Sequence, residues 1–135
     1  MGTEIHWLAV IAAALAGFVI GGLWYGPLFG RKWAEARGLD AEKLKQGANM
    51  ALIFGTTFVL NLFMAFILDH TLASYGVPST ELSLMIAGGV AVGFIIPAMA
   101  VNYLFSRLTI TLFAIDAGYW LVNYLVMGGL IVLLR

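Results

Sequence analysis

The stretch Leu108–Leu134, LTITLFAIDAGYWLVNYLVMGGLIVLL, decides the fold. It is apolar apart from one charge, Asp116. At about 1.5 Å of rise per residue it is long enough to cross a hydrocarbon core of roughly 30 Å as a helix. Three further stretches have the same character. The first covers about 7–26 and meets no charge before Arg31; the second covers about 48–68 and is closed by Asp69 and His70; the third covers about 82–105 and is closed by Arg107. None alternates apolar and polar residues with period two, which excludes barrel strands. The expectation is an all-α polytopic membrane protein: one transmembrane domain over 1–135, a bundle of four transmembrane helices with spans near 7–26, 48–68, 82–105 and 108–134. A short cytoplasmic interfacial helix is expected in the loop 31–47, anchored by Trp33 among basic residues.

Composition closes the other routes. The chain is 62% hydrophobic and 10% charged, with a mean hydropathy of +0.98, whereas soluble domains carry about 25% charged residues. Seven basic residues balance seven acidic ones, so no net field attracts nucleic acid. With no Cys there is no thiol, disulfide or Cys-ligated metal chemistry. The segment before Trp7 holds Glu4 and no Lys or Arg, unlike the basic start of a signal peptide, so the first stretch is expected to stay as a span.

Six of the seven basic residues fall in two connections: Arg31, Lys32, Arg37, Lys43 and Lys45 in the first, Arg107 in the third. The connection from Asp69 to Glu81 has none. Basic loops stay cytoplasmic, which places both termini outside and the chain in a cell membrane. The lipid bilayer is the first partner. A homo-oligomer, by default a dimer, is the second.

Small residues should do the packing, because in lipid no hydrophobic force drives helices together. Gly17, Gly21, Gly22, Gly89 and Gly93 mark the first and third spans as the close-contact elements, and Pro97 should kink the third. Trp24, Tyr25, Gly26, Pro27, Asn49 and Asn102 gather at the inner interface.

Asp116 is the sharpest functional signal. A charge near mid-membrane costs about 2.5–3.5 kcal/mol on the insertion scale, so it has to face the bundle interior. Helical spacing sets Tyr119, Trp120 and Asn123 on its face, and depth counting brings Asn61 level with Asn123. These five are the candidates for binding a small or lipophilic ligand or an ion, in a transporter- or channel-like subunit. The alternative is an accessory subunit in which the polar stripe only packs the bundle. A third reading, a membrane oxidoreductase or lipid-modifying enzyme, would need a bound cofactor; no cofactor is implied, no catalytic set is present, and an enzyme is the weaker expectation. His6, His70 and Asp69 make a weak metal candidate at the outer face.

Several segments resemble one family over nearly the whole chain: Trp24-Tyr25-Gly26-Pro27-Leu28-Phe29-Gly30-Arg31-Lys32-Trp33, Asn49-Met50-Ala51, Val101-Asn102-Tyr103-Leu104-Phe105, and Ile115-Asp116-Ala117-Gly118-Tyr119-Trp120-Leu121-Val122 with Met127-Gly128. The chain resembles the bacterial domain-of-unknown-function 1761 family. The resemblance implies a small four-helix protein of the bacterial inner membrane and transfers no activity. It also implies that the position of Asp116 can hold Asn and that of Trp120 His, which would weaken any mechanism resting on an ionisable carboxylate.

Overall fold

The structure, a computed structural model, describes residues 4–39, 49–76 and 78–135. Four helical spans cross it: Trp7–Leu28, Met50–Ser74, Thr80–Phe105 and Ile110–Leu134, each long and apolar enough to cross a membrane. The first comprises α1 (Trp7–Leu23) and a wide turn over Trp24–Leu28, and a short helix α2 (Gly30–Ala36) follows. The second span is α3 (Met50–Ser74). The third is α4 (Thr80–Val90), a second wide turn over Ala91–Ile95, and α5 (Ile96–Phe105); the fourth is α6 (Ile110–Leu134). The remainder of the basic loop, with Lys43 and Lys45, lies outside the described residues.

Each span begins where a side chain satisfies an orphan N–H. Asn49 accepts from Leu52 N, Ser79 from Leu82 N, Thr109 from Leu112 N, and His6 Nδ1 from Ala9 N. Asn49 therefore serves as a helix cap. Asn102, grouped with it in the sequence, has an exposed side chain.

Both proline-bearing spans widen to i→i+5 turns. In the first, Pro27 lies inside the turn and Phe29 N donates to Trp24 O at 2.8 Å. In the third, the wide turn immediately precedes Pro97, which sits at the start of α5. Proline has no N–H to return to the residue four earlier and its ring crowds that carbonyl, so a wide turn upstream relieves the clash.

The first and third spans, expected as the close-contact elements, find their partners elsewhere than in each other. The first span packs on α3 and α6, the third packs on α6, and α6 is the hub. Only some of the expected glycines make these contacts. A Cβ at Gly17 would strike Asn123 Oδ1, and one at Gly21 would sit 3.2 Å from the Tyr119 hydroxyl. Gly22, Gly89 and Gly93 face open space, and the third span meets α6 instead through Gly88 and Ala87, opposite Leu125 and Gly128. The cause is angular. Neighbouring glycines lie about 100° apart on a helix, so a run of them does not say which one turns inward.

The second span also runs further than expected, through Asp69 and His70 to Ser74, and ends at Gly76, whose φ of 77° suits glycine. Asp69 is fully buried. Its Oδ1 accepts from Arg135 Nε at 3.0 Å; its Oδ2 accepts from Arg135 Nη2 at 3.2 Å and from the His6 backbone N–H at 3.0 Å. A paired carboxylate does not need to end a span. This clasp ties α1, α3 and α6 together, and the core beneath it is small and dense: Ala9, Ala13 and Ala14 against Ala65, Leu68 and Leu72, with Ala87, Met127 and Ile131. Outward, large apolar side chains such as Phe94, Leu104 and Phe105 are mostly exposed, as a lipid-facing surface requires.

Candidate functional site

At the opposite end aromatic side chains lie between the spans. The wide turn after α1 carries Trp24 and Tyr25 towards α6. Trp24 Nε1 donates to the Ile115 carbonyl at 2.9 Å, and its ring lies against Gly118, where a Cβ would come within 3.0 Å of it. Tyr25 Oη donates to Asp116 Oδ1 at 2.6 Å. From the third span, Tyr103 Oη donates to Asp116 Oδ2. Each carboxylate oxygen of a residue only 8% exposed thus has a phenol from a different span.

The carboxylate lies on the wall of a cavity of about 470 Å³, which it shares with Tyr25, Gly30, Trp33, Arg37, Met99, Tyr103 and Trp120. Helix α2 closes one side of it. Gly30 is required there, because any Cβ would collide with the Tyr25 carbonyl oxygen. Trp33 meets Tyr25 edge-on at 5.9 Å between centroids, and the Arg37 guanidinium lies 5.4 Å from the Trp33 ring centroid. The chamber therefore has a carboxylate inside, a guanidinium on its exposed side and aromatic walls between them. A carboxylate offers about four lone-pair positions. Among the described residues two are taken, by the phenols, which leaves room for a further donor from the chamber.

A second cavity, of about 460 Å³, lies between the first span, α3 and α6. Phe18, Gly21, Gly22, Gly26, Ile53, Phe54, Thr57 and Tyr119 line it, and it shares Tyr25 and Trp120 with the chamber.

Of the five sequence candidates, the structure sets Asp116 and Trp120 in the chamber and Tyr119 in the neighbouring groove. Tyr119 Oη donates to the Gly17 carbonyl at 3.2 Å. Asn123 Nδ2 reaches Asn61 Oδ1 at 3.5 Å in a buried layer further along, where Asn123 Oδ1 has no partner among the described residues. Sequence reasoning missed Tyr103, Trp33, Arg37 and Met99 as chamber residues. Tyr103 had a usable signal: it lies one turn before Arg107, at the depth from which a tyrosine can reach across to Asp116.

The metal candidate does not assemble. Asp69 is held by Arg135 and by the His6 N–H, His6 Nδ1 caps α1, and His70 is exposed. Among the described residues no group of three His, Asp or Glu side chains is placed to hold a metal ion.

These features define a four-span helical membrane protein with a carboxylate-bearing chamber at one end of its bundle. The chain belongs to the DUF1761 family, described as "protein of unknown function", which it matches over residues 8–132. No curated protein and no solved structure matches it.

Proposed function

We propose that the chain is a ligand-binding membrane protein, a small transporter-like subunit, whose site is the Asp116 chamber. One observation carries the reading: a buried carboxylate, fixed by phenols from two other spans, lines a cavity of about 470 Å³ instead of being packed over. The cavity opens to the surface where Arg37 is exposed, which gives a ligand a way in, and aromatic walls around a carboxylate suit a group bearing positive charge. The packed layers of Asn61, Asn123, Met127 and Ile131 fill the bundle beyond the chamber. Movement across the membrane would then require rearrangement, or a second copy packed on the outward-facing Gly89 and Gly93. The basic loops support a reading in which the chamber faces the cytoplasmic side of a bacterial inner membrane, with both termini outside.

The test uses the full chain in lipid discs, tetramethylammonium as probe, and the fluorescence of Trp33 and Trp120 as readout. Saturable binding that Asp116→Asn weakens by about tenfold or more, the loss of one charge-assisted contact, with thermal stability little changed, supports a site. A second reading, an accessory subunit in which Asp116 is packing glue, is favoured by its two phenol partners. It expects no saturable binding and a clear loss of stability in Asp116→Asn.

A further inference from the structure

The chamber and the groove meet at Tyr25 and Trp120, and their linings differ in kind. The chamber holds Asp116 and Arg37. The groove is walled by Phe18, Ile53 and Phe54, and several of its residues, Gly22, Ile53, Phe54 and Thr57 among them, are exposed on the lipid-facing surface. Resting on the proposed binding function, we infer that the two form one bipartite site for an amphipathic zwitterion. The ammonium of its head sits against Asp116, its anionic group, phosphate or carboxylate, meets Arg37, and its hydrocarbon tail lies in the groove.

The charges select this class. A simple ammonium ion satisfies Asp116 but leaves Arg37 without a partner, and a simple anion would meet Asp116. A head carrying both charges a few bonds apart satisfies each, and the aromatic faces of Trp33 and Trp120 favour the cationic end. Guanidinium is suited to a phosphate or carboxylate partner. The lateral opening gives a tail direct access from the bilayer. The same chemistry is offered by a bilayer phospholipid with an ethanolamine head and by a free single-chain amphiphile.

The experiment compares octylphosphocholine, octyltrimethylammonium and glycerophosphocholine on the full chain in discs of phosphatidylglycerol, at matched free concentrations, by tryptophan fluorescence. Gly22→Leu fills the groove, and since a Cβ there meets nothing within 4 Å the fold accommodates it; Thr57→Phe, also at an exposed groove position, is the second groove variant. Each methylene displaced from the groove costs about fourfold in affinity. Gly22→Leu should therefore weaken octylphosphocholine by about tenfold or more while leaving tail-less glycerophosphocholine unchanged. Arg37→Ala should bring octylphosphocholine down about tenfold, to the level of octyltrimethylammonium.

Octylphosphocholine binding that neither groove variant changes overturns the tail assignment. Indifference to Arg37→Ala overturns the zwitterion. Failure of the underlying site looks different, because tetramethylammonium then shows no Asp116-dependent binding at all. Adding phosphatidylethanolamine to the discs separates the sources: weakened probe binding points to the bilayer lipid as occupant, and unchanged binding to a free amphiphile.

Discussion

Removing the guanidinium of Arg135 should destabilise the protein far more than any surface ion pair would suggest. Asp69 is fully buried and the Arg135 side chain is 13% exposed. With Arg135→Ala, Asp69 keeps a single donor among the described residues, the His6 N–H, while the Glu4 carbonyl loses the Arg135 Nη2 contact at 2.8 Å. Stripping one partner from a buried pair costs about 3–5 kcal/mol. The clasp lies at the end of the bundle, where water reaches the guanidinium, so roughly 2–4 kcal/mol is expected. Asp69→Asn should cost less, about 1–2 kcal/mol, because Arg135 can swing into water. The double variant should cost little more than Asp69→Asn alone, giving a coupling of roughly 1.5–3 kcal/mol. Unfolding in one fixed detergent or lipid mixture, followed by circular dichroism, measures the cycle, and high salt should change the coupling little for a pair this buried. A coupling near zero, or Arg135→Ala within about 0.5 kcal/mol of the parent, would refute the clasp.

Four other substitutions follow from the packing and the backbone. In Gly128→Ala the new Cβ would fall 2.7 Å from Ala87 Cβ, so the third and fourth spans must separate; thermal unfolding should show a loss of about 1–3 kcal/mol, whereas Gly22→Ala, facing open space, should gain up to about 0.8 kcal/mol of helix propensity. Tyr25→Phe leaves Asp116 Oδ1 without its phenol and should cost about 1–2 kcal/mol, read by the same unfolding assay. Arg107 adopts φ 56°, a left-handed conformation, so Arg107→Gly should raise stability by about 0.5–1 kcal/mol, and a loss instead would mean that its side chain makes a contact the backbone strain conceals.

The four spans were legible because length and hydropathy report directly on the bilayer. Asp116 was legible because its cost demanded an explanation, and the Asn61–Asn123 layer followed from counting depth. The partners of Asp116 were not. Tyr25 and Tyr103 stand near span ends, where tyrosine is ordinary interface belt, and only the wide turn at Trp24–Leu28 and the placement of the third span against α6 bring both phenols to one carboxylate. Asp69 was misread for the opposite reason. A charge after an apolar run looks like the end of a span, and the residue that neutralises it, Arg135, lies 66 positions away. The glycine pattern announced close packing without naming the neighbour, since adjacent glycines serve different faces.

The presence of Asp116 is not in itself an argument for a ligand. Its insertion cost of about 2.5–3.5 kcal/mol is matched by two hydrogen bonds to a charged group, each contributing about 1.5–3 kcal/mol, so the two phenols alone can keep the carboxylate in the bundle. What they do not account for is the space in front of it. At the Asp69 end, alanines bring the helices into contact and leave a dense core. At the Asp116 end, Tyr25, Trp33, Tyr103 and Trp120 instead stand around a cavity of about 470 Å³, open to the surface, that water or lipid must fill if nothing specific does. Filling that volume without touching Asp116 is therefore the sharper discriminator. Met99→Trp, built on the chamber wall opposite the carboxylate's own helix, should leave both phenol bonds intact. It should then stabilise an accessory protein, by burying more apolar surface, but abolish tetramethylammonium binding in a receptor. A variant that is more stable and still binds would show that the chamber is not where the cation goes.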